Sequence, residues 1–492
     1  MTAQTFKRWG SRATPVLIPA GVLLLALILR LYRLTGESLW YDEAYSVWTS
    51  SMEIASLRTL WEWQIEFPLY YLLLHYWIAL FGAGELAVRL YGALAGAATV
   101  LPLFYLGERL VNRRVGAITA LLLAANPYHI WYSQEVRMFP WATLFAVLSL
   151  VAFWGVLADG RWPWWIVHAL ITGLTFHLHY YILWLVLAQN LFLLGWLVWR
   201  HGSPFGREAW PMLRRWILDQ SAVLVVALPA AAVYMTKTGT YNQWGWLTER
   251  YGAPGVRSVA ELLLVFGTGF AFPGPSWLGW LIAFSLAGLA ALGVFVYALH
   301  GVRREGLWLA LAAAALPVLL VFIAGQFRPL WIPRHLLLFM PFYLLLAALG
   351  VAALPGRLAG AVAVLALVGG IYSLSGAWGA PLKEDWRGVV AYLEAHRAPG
   401  DLVVLMDAEC RVPYGYYAPE PADMEISRFA DADALGQAVE RIAATPRGEH
   451  VWLVISHADG AALVAGLAEV AALERIDTPD LVGIELVGYR WR

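Results

Sequence analysis

A single cysteine, Cys410, stands in a chain of 492 residues, which leaves no internal disulfide and no cysteine-clustered metal site. Charge is also scarce. Asp, Glu, Lys and Arg make up 14% of the chain, and 34 basic residues balance 34 acidic ones, so net charge carries no footprint of a nucleic-acid partner. The sequence has no glycine-rich phosphate loop followed by Lys-Ser/Thr, no His-Glu-x-x-His and no Gly-x-Ser-x-Gly. The first of these absences argues against transport driven by ATP hydrolysis. No repeat of 20 to 50 residues and no low-complexity tract interrupts the chain.

What abounds is apolar. Hydrophobic residues make up 60% and the mean hydropathy is +0.62, values that exclude a water-soluble protein and fit a mainly α, polytopic membrane protein. Nearly uncharged runs, long enough to cross about 30 Å of hydrocarbon at about 1.5 Å per residue, lie near 15–32, 67–81, 87–106, 115–130, 138–158, 163–177, 181–199, 217–235, 256–272, 277–299, 306–324, 335–354 and 358–376. Many of the 27 Trp and 23 Tyr sit near the ends of these runs, where rings anchor at the lipid interface. Lys7, Arg8 and Arg12 precede the first run and no small-residue cleavage site follows it, so it reads as a retained span.

From Gly379 the composition changes. The stretch Lys383-Glu384-Asp385-Trp386-Arg387 opens a tail of ordinary charge. Its pattern predicts helices over 388–396, 432–443 and 460–474, alternating with strands over 401–406, 451–455 and 482–487. This is the pattern of a small soluble α/β domain. The expected division is a membrane domain over 1–378, with 33–66 as its first loop, and the α/β domain over 379–492.

Basic residues set the orientation. Lys7, Arg8 and Arg12 place the N-terminus in the cytoplasm, and the loop 33–66 outside it. That loop carries Glu37, Asp42, Glu43, Glu53, Glu62 and Glu66 against Arg33 and Arg58. Arg109, Arg113 and Arg114, then Arg200, Arg207, Arg214 and Arg215, then Arg303 and Arg304 mark cytoplasmic faces. Eleven crossings obey that rule throughout; thirteen break it twice, around 67–106 and 256–299. Both counts are odd, so both put the tail outside the cytoplasmic membrane with the acidic loop.

Several polar clusters then share one face. Asp42-Glu43 offers a carboxylate at a membrane rim, suited to act as a general base or, as a pair, to hold a divalent cation whose other ligands are unknown. Its bland alternative is a helix cap or an ion pair with Arg33. Glu135 and Arg137, in Ser133-Gln134-Glu135-Val136-Arg137, read either as an ion pair closing a span or as an arginine fork for phosphate. Arg328 and Arg334, beside His335, suit a phosphate headgroup and equally suit a snorkelling boundary. His177, His179, Tyr180 and Tyr181 form a polar lining with too few ligands for a closed zinc site. Lys237 with Tyr241, Asn242, Gln243, Trp244 and Trp246 makes an aromatic loop able to stack on a sugar or to belong to the aromatic belt.

Three runs carry a family resemblance: Arg30-Leu31-Tyr32-Arg33-Leu34 with Trp40-Tyr41-Asp42-Glu43-Ala44-Tyr45-Ser46; Phe67-Pro68-Leu69-Tyr70-Tyr71; and Pro127 through Met138. Glu85-Leu86-Ala87-Val88-Arg89-Leu90 and Pro333-Arg334-His335-Leu336-Leu337 add to them. Over most of residues 15–376 the chain resembles the protein O-mannosyltransferase/aminoarabinose-transferase-like family of prokaryotic membrane glycosyltransferases. The resemblance implies a GT-C-like domain of about 11–13 transmembrane helices, a polyprenyl-phosphate-linked sugar donor in the membrane lipid, and a glycan, lipid or protein acceptor outside the cytoplasm. It implies Asp42 as base with Glu43 in support, and Arg137 and Arg334 at the lipid phosphate, where Arg328 is a further candidate from its own chemistry. Tyr45, Tyr70, His129, Glu135, His179, Tyr180 and Lys237 become expected pocket residues. The mannosyltransferase branch has His-Pro-Pro where this chain has Glu66-Phe67-Pro68, which argues against protein O-mannosylation. A lipid-linked saccharide flippase and a non-catalytic envelope assembly protein are the rival readings.

Overall fold

A computed structural model describes residues 3–54, 68–237, 252–300, 304–379, 381–428, 430–444 and 448–492. It divides into two compact units: Met1–Leu34, Glu53–Gly82 and Ala87–Gly379 form one, and Thr35–Met52, Ala83–Leu86 and Ala380–Arg492 form the other. Part of the loop that the sequence assigns to the membrane domain, Thr35–Met52, therefore groups with the C-terminal tail.

The first unit is helical. Among the described residues, eight helices are long and apolar enough to cross a membrane: Glu85–Leu110, Phe139–Asp159, Ile182–His201, Trp210–Ala232, Ser276–His300, Arg304–Gly325, Pro333–Ala353 and Gly356–Gly379. Val16–Leu31 and Leu69–Phe81 are shorter apolar helices. Most of these helices are apolar all round, with Val364, Leu365 and Val368 exposed on Gly356–Gly379, as expected where lipid replaces water outside the bundle. Close crossings use small residues. A Cβ on Gly293 would lie 2.5 Å from Gly350 N, and one on Gly350 would lie 1.9 Å from Leu289 O, so helices Ser276–His300 and Met340–Ala353 meet backbone to backbone.

Two expected spans come out short. The run 115–130 is helix Arg113–Ala124, of 12 residues, followed by a separate helix Pro127–Ser133 whose start is capped by the Asn126 side chain accepting from His129 N. The run 256–272 is helix Val256–Thr268, of 13 residues, stopped by Gly269 at φ 70. At 1.5 Å per residue each rises about 20 Å, short of the roughly 30 Å of hydrocarbon.

The second unit is an α/β sandwich. Its strands are β1 (Leu402–Met406), β2 (Met424–Ile426), β3 (His450–Ile455), β4 (Leu473–Ile476) and β5 (Glu485–Trp491), in the order β2-β1-β3-β5-β4. β1 runs parallel to β2 and β3, while β5 is antiparallel to β3 and β4. Every residue of β1 is buried, as in a strand covered on both faces. Ile442, Leu463 and Leu467 pack with Val404 and Leu453 in one core; Trp386, Val389 and Leu393 pack with Val403 and Val454 in the other. The expected helix over 460–474 ends at Ala468, and β4 takes up Leu473–Ile476. The expected strand over 482–487 begins at Glu485 instead, after Gly483 turns the chain at φ 68.

Candidate functional site

In the second unit, helix Tyr41–Ser50 presents Asp42 and Glu43 in its first turn, where carboxylates suit the helix dipole. Neighbouring residues on a helix point about 100° apart, and the two carboxylates part company. Glu43 is fully buried and its Oε2 accepts from Lys383 Nζ at 2.9 Å, a partner brought by the tail. Asp42 is half-buried. Glu43 thus ties helix to tail, and Asp42 is the less buried carboxylate of the pair.

The Asp42 charge acts on His457, which lies just beyond the carboxyl end of β3, the end at which strand order 2-1-3 opens a crevice in doubly wound sheets. Asp407 follows β1, and Ser456 and His457 follow β3. His457 adopts the left-handed region at φ 55, a conformation that costs a bulky residue roughly 1 kcal/mol or more. Its ring bonds Glu384, whose other oxygen accepts from Trp386 Nε1 at 2.6 Å. That bond to Glu384 raises the His457 pKa against the opposing effect of burial, with Asp42 adding a smaller push upward. The Tyr41 ring centroid lies 6.3 Å from that of His457, and burial, then Glu409, push the Tyr41 phenol upward. Arg428 bridges Asp407 at 3.1 Å and Glu409 at 3.0 Å. Tyr45 is half-buried, with its ring 6.0 Å from Tyr41. Among the described residues no three His, Cys, Asp or Glu side chains form a metal-ligand group.

In the first unit, Arg137 and Arg334 converge on the pair His179 and His335, each arginine acting electrostatically on both rings. The two imidazoles lie 4.7 Å apart, Tyr180 stacks on His179 at 5.0 Å, and Tyr181 meets His335 at 4.8 Å. Phe139 closes the group, 5.6 Å from His179 and 6.0 Å from the Arg334 guanidinium carbon. Arg137, Glu135 and His179 are each at most 5% exposed. The backbone makes this possible through Gly92, since a Cβ there would lie 2.8 Å from Glu135 O.

Other expected pocket residues fall elsewhere. His129 is fully buried and its Nδ1 lies 2.8 Å from Arg30 Nη2, so this nitrogen accepts and the ring belongs to a helix junction. Tyr70 is buried against Tyr71 and Tyr91. Arg328 is exposed. His177 Nε2 is 2.8 Å from Val226 O. The Lys237 side chain and the aromatic loop 241–246 lie outside the described residues, as do Arg58, Glu62, Glu66 and Phe67. Lys383, Glu384 and His457 escaped sequence reasoning because they lie far along the chain from Asp42. The only local signal was the charged run 383–387.

Residues 66–216 match the family model described as dolichyl-phosphate-mannose-protein mannosyltransferase. No curated protein matches the chain in sequence. Among solved structures, ArnT from Cupriavidus metallidurans in the apo state is similar with a TM-score of 0.63 at 13% identity, over 97% of this chain and 98% of that one. The chain has an ArnT-like fold. The same ArnT bound to undecaprenyl phosphate gives a TM-score of 0.61 at 14% identity, over 97% and 98% of the two chains. AglB, the oligosaccharyltransferase of Archaeoglobus fulgidus, in complex with an inhibitory peptide and a dolichol-phosphate, gives 0.55 at 13% identity, over 90% of this chain and 70% of that one. At these identities the likeness is one of fold. For ArnT it spans nearly the whole of both chains.

Proposed function

We propose that this GT-C-like protein transfers a sugar from a polyprenyl-phosphate-linked donor to an envelope glycan, lipid or protein acceptor outside the cytoplasm. The main support is the meeting of Arg137 and Arg334 at His179 and His335 in the membrane unit. Arg137 is buried and Arg334 half-buried; cations within a membrane domain call for a functional or structural partner, and a guanidinium fork matches phosphate oxygens. The ArnT and AglB structures that carry undecaprenyl phosphate and dolichol-phosphate make a lipid phosphate the favoured one here.

The reaction is a single displacement. The acceptor's nucleophilic oxygen or nitrogen forms a bond to the anomeric carbon as the bond from that carbon to the phosphate oxygen breaks, and the electron pair leaves with the phosphate. Arg137 and Arg334 offset the charge that develops there. Asp42 takes the acceptor's proton, and attack opposite the leaving group inverts the anomeric centre. Glu43 is committed to Lys383 and supports the helix that carries Asp42.

The test reconstitutes the full-length protein in proteoliposomes with a panel of polyprenyl-phosphate sugars and scores product by mass. Asp42→Asn is expected to lower transfer by at least about 100-fold, the lower range for loss of a general base, with unchanged thermal unfolding. Substantial transfer by the folded variant would remove Asp42 from this role. Arg137→Ala and Arg334→Ala are expected to weaken donor binding more than acceptor binding; unchanged donor affinity in both would remove the phosphate assignment.

A further inference from the structure

Helix Tyr41–Ser50 buries Glu43, Ala44, Ser46, Val47, Thr49 and Ser50. Its other four residues, Tyr41, Asp42, Tyr45 and Trp48, are half-buried or exposed, Trp48 to 38%. A surface helix ordinarily turns its polar residues outward and hides its apolar ones. This one hides two serines and a threonine and leaves three rings accessible. At about 100° per residue, positions 41, 45 and 48 fall within roughly 60° of one another, so the rings form one stripe. The centroids of Tyr41 and Tyr45 are 6.0 Å apart and those of Tyr45 and Trp48 5.7 Å, a row running about 10 Å along the helix. Asp42 flanks it.

Hydrogen-bonding groups of both kinds gather at the Tyr41 end of the row. The Tyr41 ring lies 6.3 Å from that of His457. Asp42, Glu409 and Arg428 all act electrostatically on Tyr41, and Arg428 acts on His457 as well. Carboxylates only accept hydrogen bonds and a guanidinium only donates them, whereas a hydroxyl does both. The mixture therefore suits a ligand rich in hydroxyls, and a headgroup of one charge would call for the opposite sign alone. An interfacial lipid belt accounts for Trp and Tyr but not for the acids and the guanidinium beside them. Rings combined with a few polar groups that fix orientation are the usual make-up of a small-ligand site.

We propose that the stripe of Tyr41, Tyr45 and Trp48 is the platform on which the acceptor lies, and that the acceptor is a saccharide. This rests on the reading of Asp42 as the base and narrows the acceptor from glycan, lipid or protein to glycan. A pyranose ring has an apolar face of C–H groups and a rim of hydroxyls. The C–H face lies against the negative π face of a tyrosine or tryptophan, while the rim meets Asp42 and the charged groups beyond Tyr41. The row has room for a di- or trisaccharide. One acceptor hydroxyl is thereby held at Asp42: its oxygen bonds to the donor's anomeric carbon, its proton passes to the carboxylate, and the electron pair of the broken bond leaves with the donor phosphate.

The test is binding of cellotriose, mannotriose, galactotriose and chitotriose to the full-length protein in lipid nanodiscs free of glycosidic detergent, read by saturation-transfer NMR and calorimetry. Triserine serves as a hydroxyl-bearing peptide, and no donor is added. Every pyranose has a C–H face, so stacking tolerates changes of hydroxyl configuration, and at least one trisaccharide is expected to bind at millimolar concentration or below. Trp48→Ala, at an exposed position, should weaken that binding about three- to tenfold, the value of one aromatic contact. Trp48→Phe should restore most of it and Trp48→Leu should not. Failure of every trisaccharide to bind, binding unchanged in Trp48→Ala, or equal binding by Trp48→Phe and Trp48→Leu would overturn the platform. Triserine binding as tightly as the best trisaccharide would overturn the saccharide class. Quenching of a fluorophore attached to Trp48→Cys by spin-labelled lipid would give the stripe to the membrane surface and overturn the proposal too. None of these measurements involves sugar transfer, so saccharide binding together with failed transfer would keep the saccharide site and remove the catalytic reading alone.

Discussion

Arg30 in the membrane unit and Asp401 in the α/β unit solve the same problem with opposite signs. Arg30 is fully buried and reaches the carbonyls of Ala26, Ala124 and Leu123 at 3.0–3.3 Å, Ser133 Oγ at 3.3 Å and His129 Nδ1 at 2.8 Å. Asp401 is 1% exposed and accepts from the backbone N–H groups of Ala398, Glu449 and His450 and from Trp452 Nε1, with His450 Nδ1 at 3.0 Å. In each case a full charge is met mainly by partial ones. The lesson is that a charge inside a mostly apolar unit is not by itself a site. Arg30 closes the C-terminal end of helix Arg113–Ala124, a place that favours cations, and Asp401 gathers the ends of β1 and β3.

The hardest test of that comparison is Arg30→Met. It removes the Arg30 donor from Ala124 O and takes one of two partners from Leu123 O, Ser133 Oγ and His129 Nδ1; at about 1.5–3 kcal/mol per hydrogen bond to a charged group the loss is on the order of 5 kcal/mol. That equals much of the stability of a typical domain, so thermal unfolding and folded yield of the full-length protein should collapse. Arg30→Lys should rescue little, because an ammonium lacks the planar five-donor fork. Near-wild-type stability of Arg30→Met would show that the network is incidental. Glu43 sharpens the contrast, since it is met by a full countercharge. Lys383→Met leaves a buried carboxylate without its cation and should cost about 3 kcal/mol, read as a fall in unfolding midpoint. Adding Glu43→Gln should recover most of it, and failure to do so would remove the pair from the account of stability.

Which of these residues were scaffold and which were site was only partly legible in the sequence. Helix Ala432–Ala443 matches its expected bounds because Asp431 caps it, accepting from Ala434 N, and caps are local signals. β1 and β3 were legible as dense apolar runs. β2, of three residues, and β4, Leu473-Glu474-Arg475-Ile476, are too short or too polar to announce themselves; tertiary pairing makes them strands. In the membrane unit the apolar runs located the helices, but Asn126-Pro127 was the local sign that 115–130 breaks. At the site, Asp42 and Glu43 look interchangeable as letters. Only helix phase and the distant Lys383 separate them, and His457 is invisible from the Asp42 end of the chain. Arg137 and Arg334 were singled out in the sequence, yet nothing local says that they meet.

The smallest expected effect lies at His457, which differs from Asp401 in being half-exposed and in changing charge near neutrality. Its bond to Glu384 raises its pKa above the unfolded value near 6.5. A group raised on folding contributes its stabilisation fully below the unfolded pKa and loses it as pH climbs through the raised folded value. Unfolding midpoints of wild type and His457→Gln should therefore differ most below about pH 6.5 and converge above neutrality, as the imidazolium gives up its proton. The Asp401 carboxylate works in the other direction. Burial pushes its pKa up, but the hydrogen bonds from Ala398, His450 and Trp452 prevail and hold it below the ordinary value, so its contribution falls away only in acid. Glu384→Gln should flatten the neutral-range difference while leaving the acid limb intact. A wild-type-minus-His457→Gln difference that is constant from pH 5.5 to 8.5, roughly one unit below to two above the ordinary histidine value, would show that the His457–Glu384 contact does not titrate.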